Sequence, residues 1–195
     1  SNLNDKVGII APKIYFEKGY EFHKNRYEKK DIGCVIWYAG GDIDWNNVLA
    51  SHRGVDEVDH GQYDKVLETD YASGACMLIK AEVFKKIGLF DEDYFLYWED
   101  ADLSTRAKRV GFKLLYAPPA HLWHKNAGSS RVGGPLHDYY LTRNRLLFGR
   151  KFAGLRARFA LLRESLKFLF LGRPWQRRGI IDYYFGNLGK GSFTP

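Results

Sequence analysis

Two cysteines, Cys34 and Cys76, and one methionine, Met77, are all the sulfur in 195 residues. Two thiols cannot build a disulfide framework. No CxxC or HExxH spacing offers a zinc cage, so a reducing, cytoplasmic setting is expected. Long hydrophobic runs are also missing. No wholly apolar run in the C-terminal part is longer than Phe168–Leu171, far short of the ~20 residues a membrane-crossing helix needs. There is no internal repeat or low-complexity tract, and Ser1-Asn2 is set aside as a cloning remnant. Acids nearly vanish toward the C-terminus. Between Arg143 and Arg178, Glu164 faces eleven Lys and Arg, so this tract carries +10 of a chain whose net charge is +7, and the remainder is net −3. Such a tract attracts anionic lipid, phosphate or nucleic acid. No nucleic-acid motif accompanies it, which argues against the last.

What is present is a foldable chain, 45% hydrophobic and 16% aromatic, well above disordered compositions. Val7–Ile14 is a short apolar run closed by proline and reads as a buried strand. Cys34–Gly41 reads as a strand ending in a glycine turn, and residues 42–66 as a long surface loop. Ala72–Ile79 is predicted to be a strand whose small residues admit close approach of a ligand or another backbone. Ala81–Ile87 and Asp100–Val110 are predicted helices, stopped by Gly88 and Gly111. Phe112–Ala117 is predicted as a strand ended by Pro118-Pro119, and His137–Phe148 as a helix. Farther on, Leu155, Phe159, Leu162, Leu166 and Phe170 follow i, i+4, i+7, i+11, i+15, one apolar stripe of a helix. Arg156, Arg163, Glu164 and Lys167 lie off that stripe. Either core packing or a membrane interface would account for it.

Chemistry concentrates between Tyr71 and Asn144. Glu99-Asp100-Ala101-Asp102 sets three carboxylates at a helix start. Acids there cap the helix and oppose its dipole. The run Tyr94-Phe95-Leu96-Tyr97-Trp98 that delivers them also favours partial burial, and burial beside a like charge raises a carboxylate toward the range of a general base. His124 is either structural or, as a neutral imidazole, a metal ligand. Arg143 suits phosphate recognition unless it lies on a solvated helix face. Asp56, Glu57, Asp59, His60 and Gln62 are polar enough to bind sugar hydroxyls, although the ordinary polarity of a solvated loop accounts for them more simply.

Taken in order, Ala11-Pro12-Lys13, His52-Arg53-Gly54, Asp59-His60-Gly61-Gln62-Tyr63, Ser73–Ile79, Gly88–Glu92, Phe95–Leu103, Trp123-His124 and Tyr140–Asn144 form a series. With that series the chain, from about residue 6 to 150, resembles the C-terminal half of a family 2 glycosyltransferase of GT-A fold, especially the rhamnosyltransferase and galactofuranosyltransferase-like branch. The resemblance implies an α/β fold: a partial GT-A-type mixed sheet flanked by helices over residues 3–150, followed by basic amphipathic helices over 151–195. It implies an inverting transferase moving a sugar from a nucleotide-diphosphate donor to a saccharide or lipid-linked acceptor. Asp100 would be the catalytic base and Glu99 the residue that orients it or the acceptor. Gly74, Trp98, Asp102, Arg143 and Asn144 would line the substrate, and His124 would join a divalent Mg or Mn ion on the donor diphosphate. Asp42-Ile43-Asp44 carries the letters of a DxD metal motif in the wrong place in the order, and no such role is assigned to it. The resemblance further implies that this chain lacks the nucleotide-binding half, so self-association and little activity alone are expected. Peripheral attachment to the inner face of the cytoplasmic membrane is expected from the basic tract. A non-catalytic saccharide- or partner-binding module is the alternative.

Overall fold

The computed structural model describes residues 6–23, 25–125 and 133–194. The chain divides into two compact units. The first comprises residues 1–42, 50–89 and 103–128, and the second residues 43–49, 90–102 and 129–195.

The first unit is built on a mixed sheet. Its central strand β1 (Val7–Phe16) pairs in parallel with β7 (Lys113–His124) and antiparallel with both β2 (Ile36–Tyr38) and β6 (Leu78–Ile79). Strand β5 (Leu67–Glu68) adds antiparallel to the far side of β7. Burial of both faces explains why β1 is a nearly continuous apolar run instead of an alternating one. Ile9, Ala11, Ile14, Ile36, Tyr38, Leu114 and Tyr116 form the core with Val83 of helix α1 (Ala81–Ile87) and Leu103 and Ala107 of helix α2 (Glu99–Arg109). Both helices end where glycine was expected to stop them. Gly88 and Gly111 take φ of +78° and +94°, which glycine adopts without a Cβ clash.

Three expectations change. Pro118-Pro119 does not end the last strand. The register jumps from Pro12↔Ala117 to Lys13↔His121, so residues 118–120 bulge out where proline cannot donate to the ladder, and pairing resumes through Phe16↔His124. The stretch 42–66 is not one loop, because β3 (Gly41–Asp44) and β4 (Leu49–His52) form a hairpin. Of Ala72–Ile79 only Leu78–Ile79 is strand. Ala72 and Ser73 are buried off the ladder, and Gly74 lies exposed in a turn. Asp42 of the DxD-like letters pairs with Arg53 at 2.5 Å, a salt bridge of the hairpin stem.

The second unit is mainly helical, with α3 (Pro135–Phe152), α4 (Leu155–Leu171) and α5 (Pro174–Tyr184). Prolines open α3 and α5 at their first positions, where the missing N–H costs nothing. Helices α3 and α5 meet closely at Gly179, where a Cβ would stand 2.6 Å from the Tyr139 carbonyl oxygen. Tyr139, Tyr140 and Phe193 centre this unit's aromatic cluster, with Leu96, Tyr97, Leu136 and Trp175 around it. Helix α4 buries Ala157, Leu161 and Ser165. The stripe Leu155–Phe159–Leu162–Leu166–Phe170 is exposed, so it does not pack into the core. Among the described residues no helix is long and apolar enough to cross a membrane.

Candidate active site

The acids at the start of α2 are delivered by a strained segment. Phe95, Tyr97 and Trp98 have φ of 60°, 65° and 74°. A left-handed conformation costs a residue with a side chain about 1 kcal/mol or more, and it persists only where its surroundings impose it. Helix α3 imposes it here. The Asn144 side-chain amide donates to the carbonyls of Tyr94, Leu96 and Tyr97 at 2.8, 2.7 and 2.9 Å. Arg143 Nη2 donates to the carbonyls of Asp93 and Tyr94 at 3.1 and 3.0 Å, and its Nε donates to Asn144 Oδ1 at 2.9 Å. Both side chains are 0% exposed. Trp98 packs against Phe148 with ring centres 4.8 Å apart. Asp102, also 0% exposed, is ion-paired with Lys151, which reaches Asp91 as well at 2.7 Å. Arg143, Asn144, Phe148 and Lys151 fall on one side of α3 at helical spacing. That side fixes the backbone of residues 93–98 and the first turn of α2.

Four residues expected to touch substrate are buried in this structure. Arg143, Asn144 and Asp102 are closed off from solvent and Trp98 nearly so. Their hydrogen bonds, ion pair and ring contact described above are made to the chain itself. Gly74, expected on the floor of a strand, lies in an exposed turn of the other unit. Lys151 and the segment 186–190 were not singled out in the sequence. For Lys151 the available signal was its spacing of eight residues from Arg143 on one helix face.

Glu99 and Asp100 remain partly open. Glu99 lines a cavity of about 730 Å³ together with Phe90, Asp91, Asp93, Phe95 and the segment 186–190. That volume suits a sugar-sized ligand. The segment is tied down by Gly189 N–H donating to the Asp93 carbonyl at 2.8 Å and by the Tyr140 hydroxyl donating to the Lys190 carbonyl at 2.9 Å. Glu99 Oε2 is buried without a hydrogen-bond partner. Burial and the adjacent Asp100 carboxyl push the Glu99 pKa up to about 7. The positive end of α2 opposes this, but a helix terminus contributes only about 0.3–1 kcal/mol, and burial beside a like charge outweighs it. Asp100 Oδ1 accepts the Ala101 N–H at 2.7 Å. The pair therefore has one member whose proton is exchangeable near neutrality.

A stability prediction follows from the sign of that shift. A carboxyl with its folded-state pKa raised binds more protons folded than unfolded between the two values. Stability thus falls as pH rises from about 4.5 to about 7. Glu99→Gln removes the ionised form at constant shape. It is expected to stabilise the protein by about 2 kcal/mol near pH 8 and to change nothing near pH 4. Urea unfolding at both pH values checks this, and equal effects at the two would refute a buried ionisation.

In the other unit, His124 ends β7, is half-buried, and has its pKa lowered by burial. Its ring lies 4.7 Å from that of Trp37. Trp37 also packs on His52, whose Nδ1 donates to the Trp37 carbonyl at 3.0 Å and whose pKa burial lowers to about 4. A neutral imidazole is the metal-binding form. Yet among the described residues no group of three or more His, Cys, Asp and Glu is placed to hold a metal ion. These residues do not by themselves form a metal centre.

Residues 46–138 match the model of the family described as "Glycosyltransferase like family 2". The chain is 40% identical over 60 residues to an N-acetylglucosaminyl-diphospho-decaprenol L-rhamnosyltransferase of Mycobacterium tuberculosis, covering 31% of this chain and 20% of that protein. It is 38% identical over 55 residues to the rhamnosyltransferase WbbL of Escherichia coli, covering 28% and 21%. A longer match, 23% identical over 153 residues, is to the O-antigen biosynthesis protein RfbC of Myxococcus xanthus, covering 72% and 12%. The chain thus spans about a fifth of the length of the first two relatives. Glu99, Asp100 and the left-handed segment before them fall within residues 46–138, the part of the chain that is similar to the family 2-like glycosyltransferases.

Proposed function

We propose that the chain supplies the acceptor side of an inverting sugar transferase. A nucleotide-diphosphate sugar is the donor, and a saccharide or lipid-linked saccharide is the acceptor. The observation that carries this is the half-open Glu99–Asp100 pair, delivered by a left-handed backbone, with Glu99 lining a cavity of about 730 Å³. In the reaction the acceptor hydroxyl oxygen forms a bond to the anomeric carbon while the bond from that carbon to the diphosphate oxygen breaks. Asp100 takes the hydroxyl proton, Glu99 orients the acceptor, and the leaving diphosphate departs from the opposite face, inverting the configuration. His124, neutral through burial, is the ligand this reading gives to a divalent Mg or Mn ion. No step is assigned to that ion. The diphospho-decaprenol relative favours a lipid-linked acceptor, and the basic C-terminal tract favours work at the inner face of the cytoplasmic membrane.

A second reading is favoured by one observation. Glu99, with its pKa near 7 and an unbonded oxygen in the cavity wall, is placed to be the base itself. The proposal is tested in the complete gene product, with a donor panel headed by L-rhamnosyl nucleotides and a saccharide acceptor. Acceptor-dependent release of nucleoside diphosphate is expected, with a product whose anomeric NMR coupling is inverted relative to the donor. A retained anomer would exclude the mechanism. Saccharide binding without turnover of any donor would favour a binding module.

A further inference from the structure

We infer that helix α4 is a membrane-interface element that lays its exposed apolar stripe into an anionic lipid surface. The inference deepens the proposed function and rests on it only for the choice of membrane face. A stripe at this spacing ordinarily marks the side of a helix that meets the core. In α4 the core side is instead Ala157, Leu161 and Ser165. Ser165 Oγ is hydrogen-bonded to the Tyr184 hydroxyl at 2.7 Å, and a Cβ at Gly149 would fall 2.2 Å from Leu161. That side is therefore already occupied by neighbouring helices. The stripe points away from it. Leu155 is 83% exposed, Phe159 70% and Phe170 77%, with Leu162 and Leu166 also open. At 1.5 Å per residue the row extends over about 24 Å, a contiguous patch of the kind that marks a partner or membrane contact on a soluble surface.

Charge selects the occupant. Arg156, Arg163 and Lys167 are all exposed and, at 100° per residue, follow one flank of the stripe. The helix's acid, Glu164, is held by a two-point pair with Arg145 at 2.8 and 3.0 Å. The exposed part of α4 therefore shows leucine, phenylalanine and cations. A second protein core would leave those cations to be desolvated or matched by acids. A bilayer of anionic lipid takes both parts at once, with the rings and leucines among the upper acyl chains and the cations among the phosphates. The helix would lie in the plane of the interface, which needs no membrane-crossing length.

The test is co-sedimentation of this chain with vesicles of equimolar phosphatidylcholine and phosphatidylglycerol, and with phosphatidylcholine alone, at low and high salt. Retention is expected on the anionic vesicles and is expected to weaken with salt. Phe159→Glu combined with Leu166→Glu changes two exposed positions, so the fold is expected to survive, as circular dichroism would verify. Partitioning of that variant should drop about a hundredfold, roughly tenfold per side chain withdrawn. Arg163→Ser with Lys167→Ser should weaken binding about fivefold per charge and flatten its salt dependence. Undiminished retention of the Glu pair would overturn the inference, since charge alone would then explain adhesion. So would failure of the unaltered chain to bind anionic vesicles. Stripe-dependent self-association without lipid binding would assign the stripe to a second copy and overturn it equally. The assay uses no donor or acceptor, so a chain that binds lipid yet transfers nothing keeps this inference and refutes only the proposed function.

Discussion

Arg143→Met is expected to lower the unfolding free energy by about 3 kcal/mol, and Asn144→Leu by a similar amount. Neither residue touches solvent. The two side chains satisfy the carbonyls of Asp93, Tyr94, Leu96 and Tyr97. A buried carbonyl left without a donor costs about 1–3 kcal/mol, and a hydrogen bond from a charged donor contributes about 1.5–3 kcal/mol. Removing the guanidinium also removes the cost of burying a cation, and it forfeits the contacts with the Tyr139 and Tyr140 rings at 5.3 and 5.0 Å. The net loss therefore lies well below the sum of the bonds. Three left-handed residues depend on the same donors, so the variants that remain folded should release the segment before α2. Urea midpoints measured at unchanged slope give the stability. Hydrogen exchange at residues 94–98 gives the local release. A loss under about 1 kcal/mol, with exchange unaltered, would mean that these two residues do not hold the segment.

The clamp shows what could be read from the sequence and what could not. Helices α1 and α2 were legible to within a residue or so because local chemistry sets their ends. Gly88 and Gly111 both adopt the positive φ that closes a helix. Strand β1 was legible because burial of both faces leaves a continuous apolar run. Strand β7 was not, since its prolines read as a stop, whereas a parallel partner supplied on either side of a bulge lets the strand resume. The stripe on α4 misleads in the opposite direction. Periodicity reports that a helix has an apolar side, but not whether protein or lipid covers it. Arg143 was noticed as a cation suited to phosphate and Asn144 through the family resemblance, neither as a donor to backbone. The acceptors they satisfy are backbone carbonyls about 50 residues away in sequence, and no side-chain pattern encodes those. The acids themselves were visible as letters. The feature that distinguishes them from an ordinary capping cluster is the burial of Glu99, which depends on tertiary packing.

Asp100→Asn and Glu99→Gln, each preserving shape, are expected to divide the two assignments of the base. General-base catalysis contributes typically about 10²–10⁴-fold. If Asp100 receives the proton, Asp100→Asn lowers kcat by that factor with KM nearly unchanged, because an asparagine can still hold the acceptor hydroxyl but cannot accept its proton. Glu99→Gln then costs about tenfold or less, through acceptor orientation, and does so chiefly in KM. If Glu99 receives it, the magnitudes exchange. The pH profile supplies the independent readout. A base with the raised pKa of Glu99, about 7, makes kcat rise through neutrality, and that limb disappears in Glu99→Gln. Under the Asp100 assignment the variant keeps a rising limb. The two carboxyls sit on consecutive residues and only Glu99 lines the cavity. A result in which both substitutions cost 10²-fold or more, with no limb surviving in either, would therefore make the pair a single proton-sharing unit rather than a base with a helper.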